Sequence, residues 1–102
     1  MAFLYVPWKL RVQIRNALRR TDPLKAVKGE SPPDRYEDVA LEIAQRLLRG
    51  GDDKPTVEKA AWVIWGTLTD AYGGLPAFDE ESYRGAAERI VKVWDDCFIV
   101  GA

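Results

Sequence analysis

Proline and glycine break this chain at three places: within TDPLKAVKGESPPD (residues 21–34), at Gly50-Gly51 and at Gly73-Gly74. Proline lacks the N–H that a helix interior needs and clashes with the preceding turn, while glycine gives up the most backbone entropy, so helices end at such points. Between the breaks, apolar residues recur every three or four positions, not every second one. That spacing predicts helices.

The first predicted helix runs from about Trp8 to Arg20, with Pro7 suited to its first turn and Leu10, Ile14, Ala17 and Leu18 on one face. The linker after it has room for at most a short turn of helix. A second helix starts near Asp34, where Asp34 and Glu37 have capping-box spacing, and ends at Gly50-Gly51 behind Arg46 and Arg49. Its buried face is predicted to be Tyr36, Val39, Ala40, Ile43, Ala44 and Leu47. The third helix has Asp53 as its expected cap, Pro55 in its first turn and Gly73-Gly74 at its end. The fourth, from Asp79 to about Phe98, is the most regular. Tyr83, Ala86, Ala87, Ile90, Val91, Val93, Trp94, Cys97 and Phe98 fill one arc, and Phe78 is placed to staple onto Tyr83. Asp95 and Asp96 oppose that helix's dipole and call for a basic neighbour, such as the first helix. AFLYV and FIVGA, at the two ends, have strand-like composition and could pair or form a short cover.

The expected fold is all-α: a compact bundle of three to five helices in one domain spanning 1–102. A basic N-terminal segment and first helix (1–30) is joined through the Pro/Gly-rich linker to a helical core (34–98). With 102 residues there is room for one core and no second domain.

Composition narrows the chemistry. The chain has no histidine, which removes the commonest general base, the usual partner of a Ser or Cys nucleophile and the commonest metal ligand. One cysteine, Cys97, can form no internal disulfide and cannot build a zinc site, and its place on the core arc predicts an inert thiol. The acidic clusters GDDK, FDEES and WDDC sit at helix ends and loops, where capping and solubility explain them. GDDKPT lacks the alternating ligands, central glycine and closing glutamate of a calcium loop, and no glycine-rich stretch leads into Lys-Ser or Lys-Thr. No catalytic constellation, cofactor or metal is expected. AFLYVPW is too short to span a bilayer, and the N-terminus has neither the charge nor the cleavage pattern of a secretory signal, so a cytoplasmic protein is expected.

Residues 85–101, GAAERIVKVWDDCFIVG, resemble a helix in the N-terminal part of GTP cyclohydrolases, where an Arg-Val/Ile-x-Lys pattern leads through an aromatic to an acidic residue, a Phe and a Gly. The resemblance is confined to this segment, and that family's zinc cysteines and histidine have no counterpart, so no activity is carried over.

Two features point to binding. The net charge of −1 conceals an asymmetry: residues 1–30 carry seven basic and two acidic side chains, whereas the rest carry eight basic and 14 acidic. Arg11, Arg15 and Arg19 recur along one flank of the first helix, and Lys9 and Arg20 lie across from its apolar face with Gln13 and Asn16. This array could follow phosphates, or it could be neutralised by the acidic half of the same molecule. A helix-turn-helix from the second and third helices is disfavoured by its long, acidic turn.

The second feature is Trp62. On the third helix Val57, Ala60, Ala61, Ile64, Leu68, Ala71 and Tyr72 form the apolar arc, with Trp65 at its edge; Trp62 falls outside, beside Glu58, Gly66 and Thr69, with Val63 on the back of the helix. Either another element covers this face or a partner does. The expected function is therefore that of a small non-catalytic interaction protein, an inhibitor, adaptor or self-associating regulator. Its protein partner or second copy would be held at Trp62, Val63 and Gly66. The alternative is a nucleic-acid-binding regulatory module using Lys9, Arg11, Arg15, Arg19 and Arg20.

Overall fold

Each apolar stripe read from the sequence meets another helix. The computed structural model describes residues 6–49 and 54–98, and 74% helix with no strand among them makes the protein all-α. Helices α1 (Trp8–Thr21), α2 (Pro23–Lys28), α3 (Glu37–Leu48), α4 (Val57–Tyr72) and α5 (Glu80–Val93) are followed by a 3₁₀ turn (Asp95–Phe98). The four long helices close a ring: α1 packs on α3, α3 on α4, α4 on α5, and α5 back on α1. Short α2 lies against α5. The core inside the ring contains Leu10, Ile14 and Leu18 from α1, Ala40, Ile43 and Ala44 from α3, Ala60, Ala61, Ile64 and Leu68 from α4, and Ala86, Ala87 and Ile90 from α5, all fully buried. Alanines recur on α3, α4 and α5 because small side chains let neighbouring helices approach closely, while the Leu and Ile side chains fill the space between.

The linker is more ordered than its prolines imply. Pro23 opens α2, where its missing N–H loses nothing, and Gly29 ends it at φ +89°. Asp22, Arg35 and Tyr36 all adopt positive φ, at 49°, 53° and 68°, a region that side chains with a Cβ seldom occupy. The Tyr36 ring is fully buried, and its hydroxyl donates to Asp22 Oδ1 at 2.5 Å while accepting the Leu24 N–H at 3.0 Å. Ser31 donates to the other Asp22 oxygen. One tyrosine thus fastens the end of α1, the start of α2 and the start of α3 to each other. Burial would raise the Asp22 carboxyl, but the Ser31 and Tyr36 hydrogen bonds and the Arg35 charge outweigh it and hold the group below its ordinary value. Burial and the bond to Asp22 push the Tyr36 phenol up.

Several local expectations are corrected. The linker holds a six-residue helix, not a single turn. Helix α3 begins at Glu37; Asp34 accepts the Tyr36 and Asp38 N–H groups, but the Glu37 side chain turns away to α1 and closes no capping box. The expected cap Asp53 lies outside the described residues, and Thr56 caps α4 by accepting the Lys59 N–H at 3.1 Å. Helix α5 stops at Val93. The tighter 3₁₀ turn aligns residues three apart, which turns Trp94 and Cys97 inward together and leaves Phe98 37% exposed. Helix α1 packs on the 3₁₀ turn as expected, but the ion pair of Asp95 is with Lys54, at 3.7 Å. The expected strands at residues 2–6 and 98–102 fall mostly outside the described residues. No helix among the described residues is long and apolar enough to cross a membrane.

Candidate functional site

Helix α4 turns Ala60, Ala61, Ile64, Thr67 and Leu68 inward and leaves Trp62 54% exposed. Trp62 does not stand alone. Its ring centroid lies 5.0 Å from that of Trp65 and 5.2 Å from that of Phe78, the latter edge-on at 79°. Trp65 and Phe78 meet at 5.8 Å, and Phe78 stacks on buried Tyr83 at 6.3 Å, as the predicted staple requires. The four rings run from solvent into the core. Offset and edge-on aromatic contacts at these distances add about 0.5–1.5 kcal/mol per pair to simple burial.

The returning loop brings Phe78 to this place. Gly73 has φ 63° and ψ 170°, a combination open almost solely to glycine, and it turns the chain sharply off the end of α4. The loop then runs back along the helix, where the Pro76 carbonyl accepts the Trp65 indole N–H at 2.9 Å and Leu75 packs half-buried on the core.

Val63 is half-buried against the core, so it offers a partner less surface than its wheel position implied. Gly66 is bordered by Arg46 of α3: a methyl group at Gly66 would stand 3.8 Å from an Arg46 Nη. Arg46 bridges Glu42 at 3.1 Å and Asp70 at 2.7 Å, and the hydrogen bond to Asp70 holds it still more firmly in its charged form. The outer surface of α4 therefore has an aromatic half, Trp62, Trp65 and Phe78, and an ionic half centred on Arg46.

On α1 the arginine row converges on one carboxylate. Arg11, Arg15 and Arg19 reach Glu37 at 3.5, 3.4 and 3.1 Å, and Arg19 also donates to the Arg35 carbonyl at 2.8 Å. Lys9 and Arg20 are exposed, with no carboxylate within ion-pair distance among the described residues. The row thus keeps a net positive charge but is held against α3, and each pair, partly exposed, contributes about 0–1 kcal/mol.

Two residues escaped the sequence reading. Phe78 was assigned to Tyr83 alone, because its contact with Trp62 depends on how the loop folds back. Trp8, 72% exposed, shares the α1 flank of Arg11, Arg15 and Arg19, which the helical repeat could have shown. Cys97 is buried, as expected; its thiol donates to the Val93 carbonyl at 3.3 Å, and burial pushes its pKa up. Among the described residues no three acidic or cysteine side chains gather as a metal site. Neither a protein-family model, a curated protein nor a solved structure matches the chain, so the resemblance of residues 85–101 to GTP cyclohydrolases rests on that one segment.

Proposed function

We propose that this protein is a non-catalytic interaction module of the cytoplasm that holds a protein partner on the aromatic half of α4. The supporting observation is the exposure of Trp62 in spite of its two aromatic neighbours. A rigid, pre-stacked indole with half its surface in water loses little side-chain entropy on binding, and tryptophan is favoured at the energetic centres of interfaces. One turn before it on α4, Glu58 and Lys59 are both exposed, and Asp79 is exposed next to Phe78, so the rim carries charges of both signs. An apolar centre with a rim of mixed charge suits a protein partner that offers an apolar pocket for the indole.

The test compares the wild type with Trp62→Ala against a partner captured from the host and then purified. Loss of about 2 kcal/mol of binding, or roughly thirtyfold in affinity, is expected, with a smaller loss of stability than Trp65→Ala causes. Strong destabilisation with unchanged affinity would make Trp62 an ordinary packing residue and end the proposal. Sedimentation of both proteins reports whether the partner is instead a second copy.

A nucleic-acid reading draws less support, because Arg11, Arg15 and Arg19 are turned onto Glu37.

A further inference from the structure

The α1–α5 seam carries a cationic groove that the arginine row does not enter. Gln13, Asn16 and Arg20 line one wall and Arg89 and Lys92 the other, enclosing about 300 Å³ over a floor that includes buried Ala17. A second hollow continues past Arg89 and Lys92 to Thr21 and side-chain-free Gly85. The carboxylate at its edge, Glu88, is engaged by Arg84 at 2.8 Å. No carboxylate among the described residues lies within ion-pair distance of Arg20, Arg89 or Lys92. Arg84 makes the contrast on the same helix, with Glu80, Glu81 and Glu88 all within 3.5 Å.

Three like charges facing one groove repel each other, and an anion seated between them removes that repulsion. Guanidinium groups fit tetrahedral oxyanions through paired N–H donors, the ammonium adds a movable point charge, and the two carboxamides can donate to oxygen or accept from hydroxyls. Three cations match a multiply charged phosphate better than a single carboxylate. The field is also short. Along α1 the positive groups of the groove side extend only from Lys9 to Arg20, roughly 16 Å at the helical rise, and the groove's far end meets Glu88. A long polyanion would leave this stretch after a few phosphates.

We infer that the α1–α5 groove, with Arg20, Arg89 and Lys92 as ligating cations and Gln13 and Asn16 as polar partners, binds a compact diphosphate- or triphosphate-bearing small molecule.

The test titrates the full chain with pyrophosphate and with inorganic phosphate, by calorimetry and by amide chemical shifts. Expected are saturable pyrophosphate binding about tenfold tighter than phosphate and shifts clustered on residues 13–20 and 89–92. The Arg20→Gln, Arg89→Gln, Lys92→Gln triple variant should lose about tenfold or more in affinity with unchanged circular dichroism. Lys92→Gln alone, a change at an exposed position, should show a smaller loss and serves if the triple variant folds poorly. Arg11→Gln should change nothing. Binding that survives the triple variant, or shifts on α1 with none at residues 89–92, overturns the inference. So does affinity for single-stranded oligonucleotides that keeps rising with length beyond a few nucleotides, which would make the ligand a nucleic acid.

Discussion

The indole N–H of Trp65 donates to the Pro76 carbonyl at 2.9 Å, and this bond fastens the α4–α5 loop beneath the exposed ring of Trp62. Trp65→Phe keeps most of the ring contact and loses the bond, so a stability loss of about 1 kcal/mol is expected. Trp65→Ala should lose about 2 kcal/mol, less than the ~3–5 of a fully buried aromatic, because the ring is half-buried. Trp62→Ala gives up two ring contacts but no hydrogen bond and should lose about 1–2 kcal/mol, less than Trp65→Ala. Urea unfolding of the three variants gives the order directly.

Gly73 governs the same platform from a distance. Alanine cannot adopt its φ of 63° with ψ of 170° without strain, so Gly73→Ala is expected to destabilise by about 1–3 kcal/mol. The near-ultraviolet circular dichroism of the aromatic cluster should weaken as well, since Phe78 reaches Trp62 only through this turn. A variant with native stability and an unchanged aromatic signal would show that the loop finds its place without the glycine.

Glu37 neutralises part of the α1 row, so removing its charge should expose the row. Glu37→Gln is expected to lower stability by about 1 kcal/mol and to raise the salt concentration needed to elute the protein from a polyanionic resin. Changing Arg11, Arg15 and Arg19 together to glutamine should leave the fold intact, with an effect on the order of 1 kcal/mol, and should lower that elution point. Unfolding of the triple variant would mean that the row is structural.

Stability should fall at both ends of the pH scale. Asp22 is depressed in the folded state, so the folded chain binds fewer protons there than the unfolded one; its contribution is present above the ordinary value of 3.8 and is lost as pH falls through the lowered one. Tyr72 is pushed up to about 12 by burial and the Asp34 charge; its contribution is intact below the ordinary value of 10.0 and is lost as pH rises toward 12. Melting temperatures across the pH range, with phenolate absorbance followed in parallel, check both limbs. Tyr72→Phe should soften the alkaline limb and leave the acid limb alone.

The helical repeat made the core legible: Leu10, Ile14, Val39, Ile43, Ile64, Leu68, Ala86 and Ile90 are buried because burial along a helix must recur every three or four residues. Trp62 was legible for the same reason, as a large apolar residue outside such an arc. What escaped depends on pairs distant in sequence. Glu37 reads as a capping residue until α3 lies beside α1 and three arginines reach it, and Arg46 reads as a helix-end charge until α4 packs on α3 and brings Asp70 to it. Local competition hid the rest. Thr56 and Asp53 are both acceptable caps, and the backbone uses Thr56. Nothing in the spacing of Val93, Trp94 and Cys97 separates a continued α-helix from a 3₁₀ turn.

The ring of helices closes where α5 meets α1, and that seam joins the earliest helix to the latest. While α5 is still being synthesised, Leu10, Ile14 and Leu18 have only α3 to rest on, and their other side faces water. Folding is then completed by closing the longest loop in the molecule, a step whose entropic cost rises only slowly with loop length. The protein consequently carries α1–α5 contacts of long sequence separation despite its helical content, and it should fold more slowly than bundles whose helices pack only on their neighbours in sequence.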